Sequence, residues 1–194
     1  MQYFRVTIET RQPGSIGIFE NRSFDVIASD REKAAQTAMH AAHADAWETR
    51  FPVSIESRDM NRIDVMTLHY VICALWSSND ESDDSGGNPM DENYSSSDLD
   101  PAAWASARGD CADFIASNGD AIDGLPDSYG SHPDCGKQFP KYAAAGHDFW
   151  LTRNGHGAGF WDRGLGEIGD KLSTAAEVYG SVDAYIGDDG RVYF

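Results

Sequence analysis

The sequence predicts an α+β protein in two parts: a small N-terminal ββαβ unit over residues 1–62 and an acidic C-terminal unit over 63–194 with the order α-α-ββ-α-ββ. Three observations lead there. Apolar and polar residues alternate at the start, the period of a half-buried strand. Apolar stripes at three- and four-residue steps recur later, the period of a helix. Charge is segregated: residues 1–62 carry nine Asp and Glu against eight Lys and Arg, and residues 63–194 carry twenty-three against seven.

In the first part, Phe4, Val6 and Ile8 alternate with Arg5, Thr7 and Glu9, which predicts a strand over residues 2–9. Pro13-Gly14 marks a turn. A second extended run ends in SFDVIAS, within 15–27 and its edge. Ser29 or Asp30 then caps a helix over roughly 31–47, with Ala35, Ala38, Met39, Ala42 and Ala46 on one stripe. Val53 and Ile55 alternate with Ser54 and Glu56 in a strand over 52–57.

In the second part, IDVMTLHYVICALWSS at 63–78 reads as a buried helix, with Met66, Tyr70, Val71, Ala74 and Leu75 on a broad face. Residues 79–99 read as a solvated loop, with eight acids from Asp80 through Asp100. Asp100-Pro101 starts a helix to about residue 121, Asp as N-cap and Pro at the first helical position. Its stripe is Trp104, Ala107, Cys111, Phe114, Ile115 and Asn118. Residues 123–145 read as irregular apart from a short helical stretch at 137–145. Asn154-Gly155, a favoured two-residue turn, predicts a hairpin joining DFWLTR to HGAGFWD. A helix over 166–179 ends at Gly180, and VDAYIGD and RVYF form two last strands about Asp188-Asp189-Gly190.

The net charge is −17, but five Trp, eight Tyr and nine Phe exclude a disordered chain. No apolar run approaches the ~20 residues of a membrane helix. MQYFRVTIETR has no apolar stretch after its basic residues, so no signal peptide is expected. Three scattered Cys fit a reducing cytosol rather than a disulfide framework. From Ile63 to Ala107 there is no Lys or Arg. Such a surface repels nucleic acid and anionic membrane and steers basic surfaces toward itself.

The blocks ALWSS at 74–78, GHDFWLTRNGHGAGFWDR at 146–163 and GSVDAYIGDDGRVYF at 180–194 occur in order. In them, over roughly residues 70–194, the chain resembles a family of small accessory proteins of tailed bacteriophages. The resemblance implies a phage origin and action in the host cytoplasm. It carries over no catalytic residue.

His147, Asp148, Arg153, His156, Asp162 and Arg163 are the densest set of chemical groups. His and Asp at this density can hold a divalent metal or form an oriented base. The hairpin register argues against one cluster: it pairs Arg153 with His156, brings Asp148 near Trp161, and points His147 and Asp148 to opposite faces. Structural polarity around buried Phe149, Leu151 and Phe160 is the simpler reading, with Trp150 and Trp161 lying across the strand glycines. Those glycines match neither GxxxxGK[ST] nor GxGxxG. The acidic loop lacks the glycine and terminal Glu of a calcium loop. Cys111 and Cys135 with His132 and His147 lack a CxxC pair, and Cys111 lies on an apolar stripe. His40, His43 and His69 read as ordinary helix residues. No catalytic residue, metal or cofactor is therefore expected.

What remains is electrostatic mimicry of a nucleic-acid backbone. The candidate partner-binding residues are Asp80, Glu81, Asp83, Asp84, Asp91, Glu92 and Asp98 of the loop, with Asp110, Asp113 and Asp120 of the following helix. The expected function is a phage counter-defence inhibitor of the anti-CRISPR or anti-restriction type. Its partner would be a basic host defence protein or nucleoprotein complex, and it would bind no nucleic acid itself. The alternatives are a small metal-dependent enzyme using the 146–163 residues, and a ligand-sequestering or virion-accessory protein.

Overall fold

The computed structural model describes residues 2–12, 14, 18–44, 47–81, 87–131 and 138–194. The fold is α+β, and its contacts divide the chain into two compact units. The first is Met1–Met60 with Ser96–Ala102, and the second is Asn61–Ser95 with Ala103–Phe194. Residues 96–102, read from sequence as part of the acidic region, thus pack with the N-terminal unit.

In the first unit β1 (Gln2–Arg11) runs antiparallel to β2 (Glu20–Ala28) on one side and β3 (Glu48–Arg58) on the other. Helix α1 (Arg31–Ala44) lies between β2 and β3 in the chain, the expected ββαβ order. Phe4, Val6 and Ile8 of β1 pack with Val26, Ala28, Ala34 and Ala38 in one core. Small Ala side chains let a helix lie close to a sheet, and burying such a face is the main source of stability here. Asp30 Oδ1 accepts from Lys33 N at 2.9 Å, which identifies the N-cap. β3 is longer than expected and its register shifts where Pro52 opposes Ile8. Proline lacks the N–H of a ladder bond and is tolerated on an edge strand or at a bulge.

In the second unit α2 (Arg62–Ser77) is opened by a capping box, with the Asn61 side chain accepting from Ile63 N and Asp64 N. Helix α3 (Pro101–Asp123) carries its expected stripe inward, with Cys111 and Phe114 fully buried. The irregular segment is shorter than the sequence suggests, because α3 reaches Asp123 and α4 (Pro140–Arg153) begins at Pro140. The ring of Phe114 stacks on Phe149 at 4.5 Å and on Phe160 at 5.8 Å.

The largest departure is the hairpin expected over 146–163. Its first arm is the C-terminal half of helix α4, and its second arm is a loop with a 3-10 turn at Phe160–Asp162. Tyr142, Ala143, Ala145, Gly146, Phe149, Trp150 and Leu151 are all buried, and so are Asp148, Thr152 and Arg153, so α4 is buried nearly all round. With polar as well as apolar residues inside, no 3.6-residue stripe is left to read. Asn154-Gly155 ends this helix instead of turning a hairpin. His156 N bonds Leu151 O at 3.0 Å, Gly155 N bonds Thr152 O at 3.1 Å, and Gly155 has φ +67°. That is the Schellman pattern of a helix C-terminus. At Gly159 an added Cβ would overlap the Thr152 hydroxyl, so the close neighbour is Thr152 and neither Trp150 nor Trp161.

Helix α5 (Glu167–Glu177) ends before Gly180, which has φ +67°. The last two strands are present but short, with β6 (Tyr185–Ile186) antiparallel to β7 (Val192–Tyr193). The C-terminal order is therefore α-α-α-α-ββ, apart from a two-residue pairing of β4 (Asn79–Asp80) with β5 (Asn88–Pro89). That pairing and buried Met90, Ser96, Ser97 and Leu99 correct the reading of 79–99 as a solvated loop. Among the described residues no helix is long and apolar enough to cross a membrane.

Candidate functional site

The ten candidate acids do not share one environment. Glu81, Asp91, Glu92, Asp113 and Asp120 are exposed, and Asp80 is half-buried on β4. Asp98 belongs to the first unit and pairs with Lys33 at 3.2 Å. Asp110 accepts from Arg153 Nη1 at 2.7 Å. Asp83 and Asp84 lie outside the described residues.

The cations explain the charge of the second unit better than the acids do. That unit holds 21 Asp and Glu against eight Lys and Arg, a net −13, and the first unit holds 11 against seven, a net −4. Five of the eight cations point at carboxylates of their own unit: Arg62 at Asp123, Arg108 at Asp64, Lys141 at Asp127, Arg153 at Asp110 and Arg163 at Asp148. Lys137 lies outside the described residues, and Lys171 and Arg191 form no ion pair among them. Among the described residues of this unit, Lys171 and Arg191 are the cations outside these pairs.

The six polar groups of the 146–163 segment go to four places. Arg153 turns inward. Its side chain is 3% exposed, and besides Asp110 it donates to Tyr70 OH, Tyr179 O and Gly180 O at 2.8–2.9 Å. Asp162 Oδ1 accepts from Gly159 N at 3.1 Å and closes the 3-10 turn. His156 lines a cavity of about 610 Å³ with Trp150, Asn154 and Tyr185.

His147, Asp148 and Arg163 come together at a second cavity of about 560 Å³, with Tyr129 and Leu165. This corrects the expected opposite faces of His147 and Asp148, and puts Arg163 rather than Trp161 beside Asp148. Asp148 is 2% exposed. Its Oδ1 accepts from Arg163 Nη2 at 2.7 Å and Nε at 3.0 Å, and its Oδ2 accepts from Tyr129 OH at 2.9 Å. Both oxygens are therefore used. His147 Nε2 lies 3.3 Å from Nδ1 of buried His69.

Tyr129 was not anticipated, since it sits in a Gly- and Pro-rich stretch with no periodicity. The one signal available was a lone aromatic between turn residues, in GLPDSYGS. Cys111 is a buried free thiol, as its stripe predicts, and burial pushes it up to about 12. Burial does the same for Cys73, with Asp148 adding to the effect. His132 and Cys135 lie outside the described residues. Among the described residues, no three His, Cys, Asp or Glu are placed to hold a metal. Comparison with protein-family models, with curated proteins and with solved structures returns no match for this chain.

Proposed function

We propose that the protein is a non-catalytic phage counter-defence inhibitor. It binds the basic nucleic-acid-binding surface of a host defence complex, of the CRISPR or restriction type, and blocks DNA access. The observation that carries this reading is the internal use of the cations in the second unit. A protein kept soluble by charge can mix both signs on its surface. Here Arg62, Arg108, Lys141, Arg153 and Arg163 each pair with a carboxylate of the same unit, and the exposed acids Glu81, Asp91, Glu92, Asp113 and Asp120 form no ion pair among the described residues. Lys and Arg rows that read phosphates would read such a surface in the same way. The resemblance to tailed-phage accessory proteins supplies the biological setting. An enzyme built on the 146–163 segment is less well supported, because both oxygens of buried Asp148 are already engaged by Arg163 and Tyr129.

The test is displacement of labelled duplex DNA from a purified CRISPR interference complex and from a restriction enzyme, at low and high salt. The expected result is displacement that weakens with salt, with no direct binding of the DNA. Retention of DNA by both targets at low salt, or tight binding of the duplex by the protein itself, overturns the reading.

A further inference from the structure

Among the described residues β3 pairs with β1 alone, so it is an edge strand. Its middle is apolar and its ends are charged. Phe51 is 87% exposed and Val53 58%. Sheets protect an open edge with charges, prolines or bulges, which refuse a second strand. β3 has Pro52 and two register shifts, yet it leaves two apolar side chains in water beside them. Its charges follow an order centred on Val53. Arg50 stands three residues before it and Glu56 three after, Glu48 five before and Arg58 five after. Reversing the strand therefore exchanges acid for base at each of these positions. All four charges belong to one face of the sheet. Glu48, Glu56 and Arg58 oppose Arg11, Arg5 and Tyr3 of β1, and Arg50 pairs with Glu9. Those β1 residues alternate with Phe4, Val6 and Ile8 of the core.

We propose that β3 is the contact of a two-fold symmetric dimer, in which it pairs antiparallel with β3 of a second copy about Val53. In that register Arg50 of each copy faces Glu56 of the other, and Glu48 faces Arg58. Opposite charges facing across an antiparallel pair stabilise it, and like charges destabilise it. A slip of two residues one way sets Glu48 against Glu56, and the other way sets Arg50 against Arg58. A slip of one residue puts the charges on opposite faces. The charge order thus selects a single register, with Phe51 and Val53 of both copies near the axis. Glu48 and Arg50 already bond Arg11 and Glu9, but their side chains are 40% and 60% exposed, and a carboxylate or guanidinium can serve more than one partner. Arg31 Nη2 donates to Ile55 O, and a carbonyl with two lone pairs can accept from a strand as well. The four charges of β3 cancel, and its unit carries −4 against −13 for the other, so self-association meets the least repulsion here. The contact is a single ribbon, small for an interface, so the dimer dissociates on dilution. This inference is independent of the inhibitor reading.

The test is sedimentation velocity of the full chain from micromolar to millimolar concentration. A reversible monomer–dimer equilibrium is expected. Val53→Lys sets two ammonium groups against each other on the axis and should leave a monomer with unchanged circular dichroism. Arg50→Glu opposes two carboxylates, and Glu56→Arg opposes two guanidinium groups. Each clash occurs twice by symmetry, so each variant alone should weaken the dimer by about tenfold. Mixed in equal amounts, the two variants recover both opposite-charge pairs, and the mixture should associate more tightly than either component. That recovery depends on the register and is not produced by a merely misfolded variant. A monomer at every concentration, a dimer that Val53→Lys leaves intact, or a mixture no tighter than its components overturns the proposal.

Discussion

Arg153, the last residue of α4, reaches Asp110 on α3 and Tyr70 on α2 with the same Nη1 nitrogen, at 2.7 and 2.9 Å. Its other donors reach Tyr179 O and Gly180 O just beyond α5. One side chain thus joins four helices or helix ends. Asp110 has a structural duty in this arrangement, whatever it also does at the surface.

Removing one partner of a buried ion pair strands the other charge, at a cost of about 3–5 kcal/mol. Arg153→Ala should approach that loss. Asp110→Asn should lose less, because Asp110 is partly exposed and Tyr70 OH and two carbonyls still satisfy the guanidinium. Urea unfolding of both variants checks this ranking. An Arg153→Ala midpoint equal to that of the wild type would remove Arg153 as a structural anchor.

Gly146 offers a test with an inverted sign. An interior helix glycine changed to alanine ordinarily gains about 0.5–1 kcal/mol. Here an added Cβ would overlap Met66 O and come within 2.8 Å of Tyr70 N. Helices α2 and α4 would have to separate, and overpacking of this kind costs about 1–3 kcal/mol. Gly146→Ala should therefore destabilise, measured by thermal or urea unfolding. A gain in stability would mean that the two helices are not so close.

Cys73 and Cys111 should be silent toward iodoacetamide at pH 8 in the native protein and react on unfolding, read by peptide mass spectrometry. Their thiols are buried and pushed up to about 12. The unfolded thiol ionises near 8.5. Between those values the unfolded chain has lost a proton that the native chain keeps, so stability falls as pH rises. The contribution is whole below about pH 8.5 and lost as pH approaches 12. Burial raises Tyr70 as well, which adds a loss in the same direction. A Cys111→Ala variant should show a shallower decline from pH 8.5 to 10.5, and an equal slope would refute the linkage.

The parts legible in the sequence were those with one wet face. Phe4, Val6 and Ile8 alternate because Arg5, Thr7 and Glu9 lie on the other face of β1. Asp100-Pro101 announces α3 because capping is local chemistry. Helix α4 was misread because burial on nearly all sides erased its period, leaving β-like DFWLTR beside a dipeptide that suits two different endings. Asn-Gly tolerates the left-handed residue of either a hairpin turn or a helix terminus, and only tertiary packing chooses between them. The cavity was lost with the hairpin. Asp148 and Arg163 are fifteen residues apart and meet because a helix end and a 3-10 turn fold back together. The pairing of Asp98 and Asp110 with Lys33 and Arg153 was invisible for the same reason: neither cation is near its acid in sequence.

The acidic surface can be tested with those two acids set apart. Glu81, Asp91, Glu92, Asp113 and Asp120 are exposed and changed together to their amides. Surface substitutions away from packed features usually stay within about 0.5 kcal/mol each, and relief of self-repulsion acts in the stabilising direction. Unfolding curves should therefore match the wild type. Association with the defence complex that loses its DNA should slow, and its dependence on salt should flatten, because rim charges act mainly on the encounter. Dissociation should change little. Asp98→Asn and Asp110→Asn should show the opposite pattern, with lowered stability and nearly unchanged association, since Lys33 and Arg153 already neutralise those charges. The measurement is association and dissociation rates at two ionic strengths. If the fivefold amide variant associates as fast as the wild type at both, the exposed carboxylates are solubility surface and the mimicry reading fails.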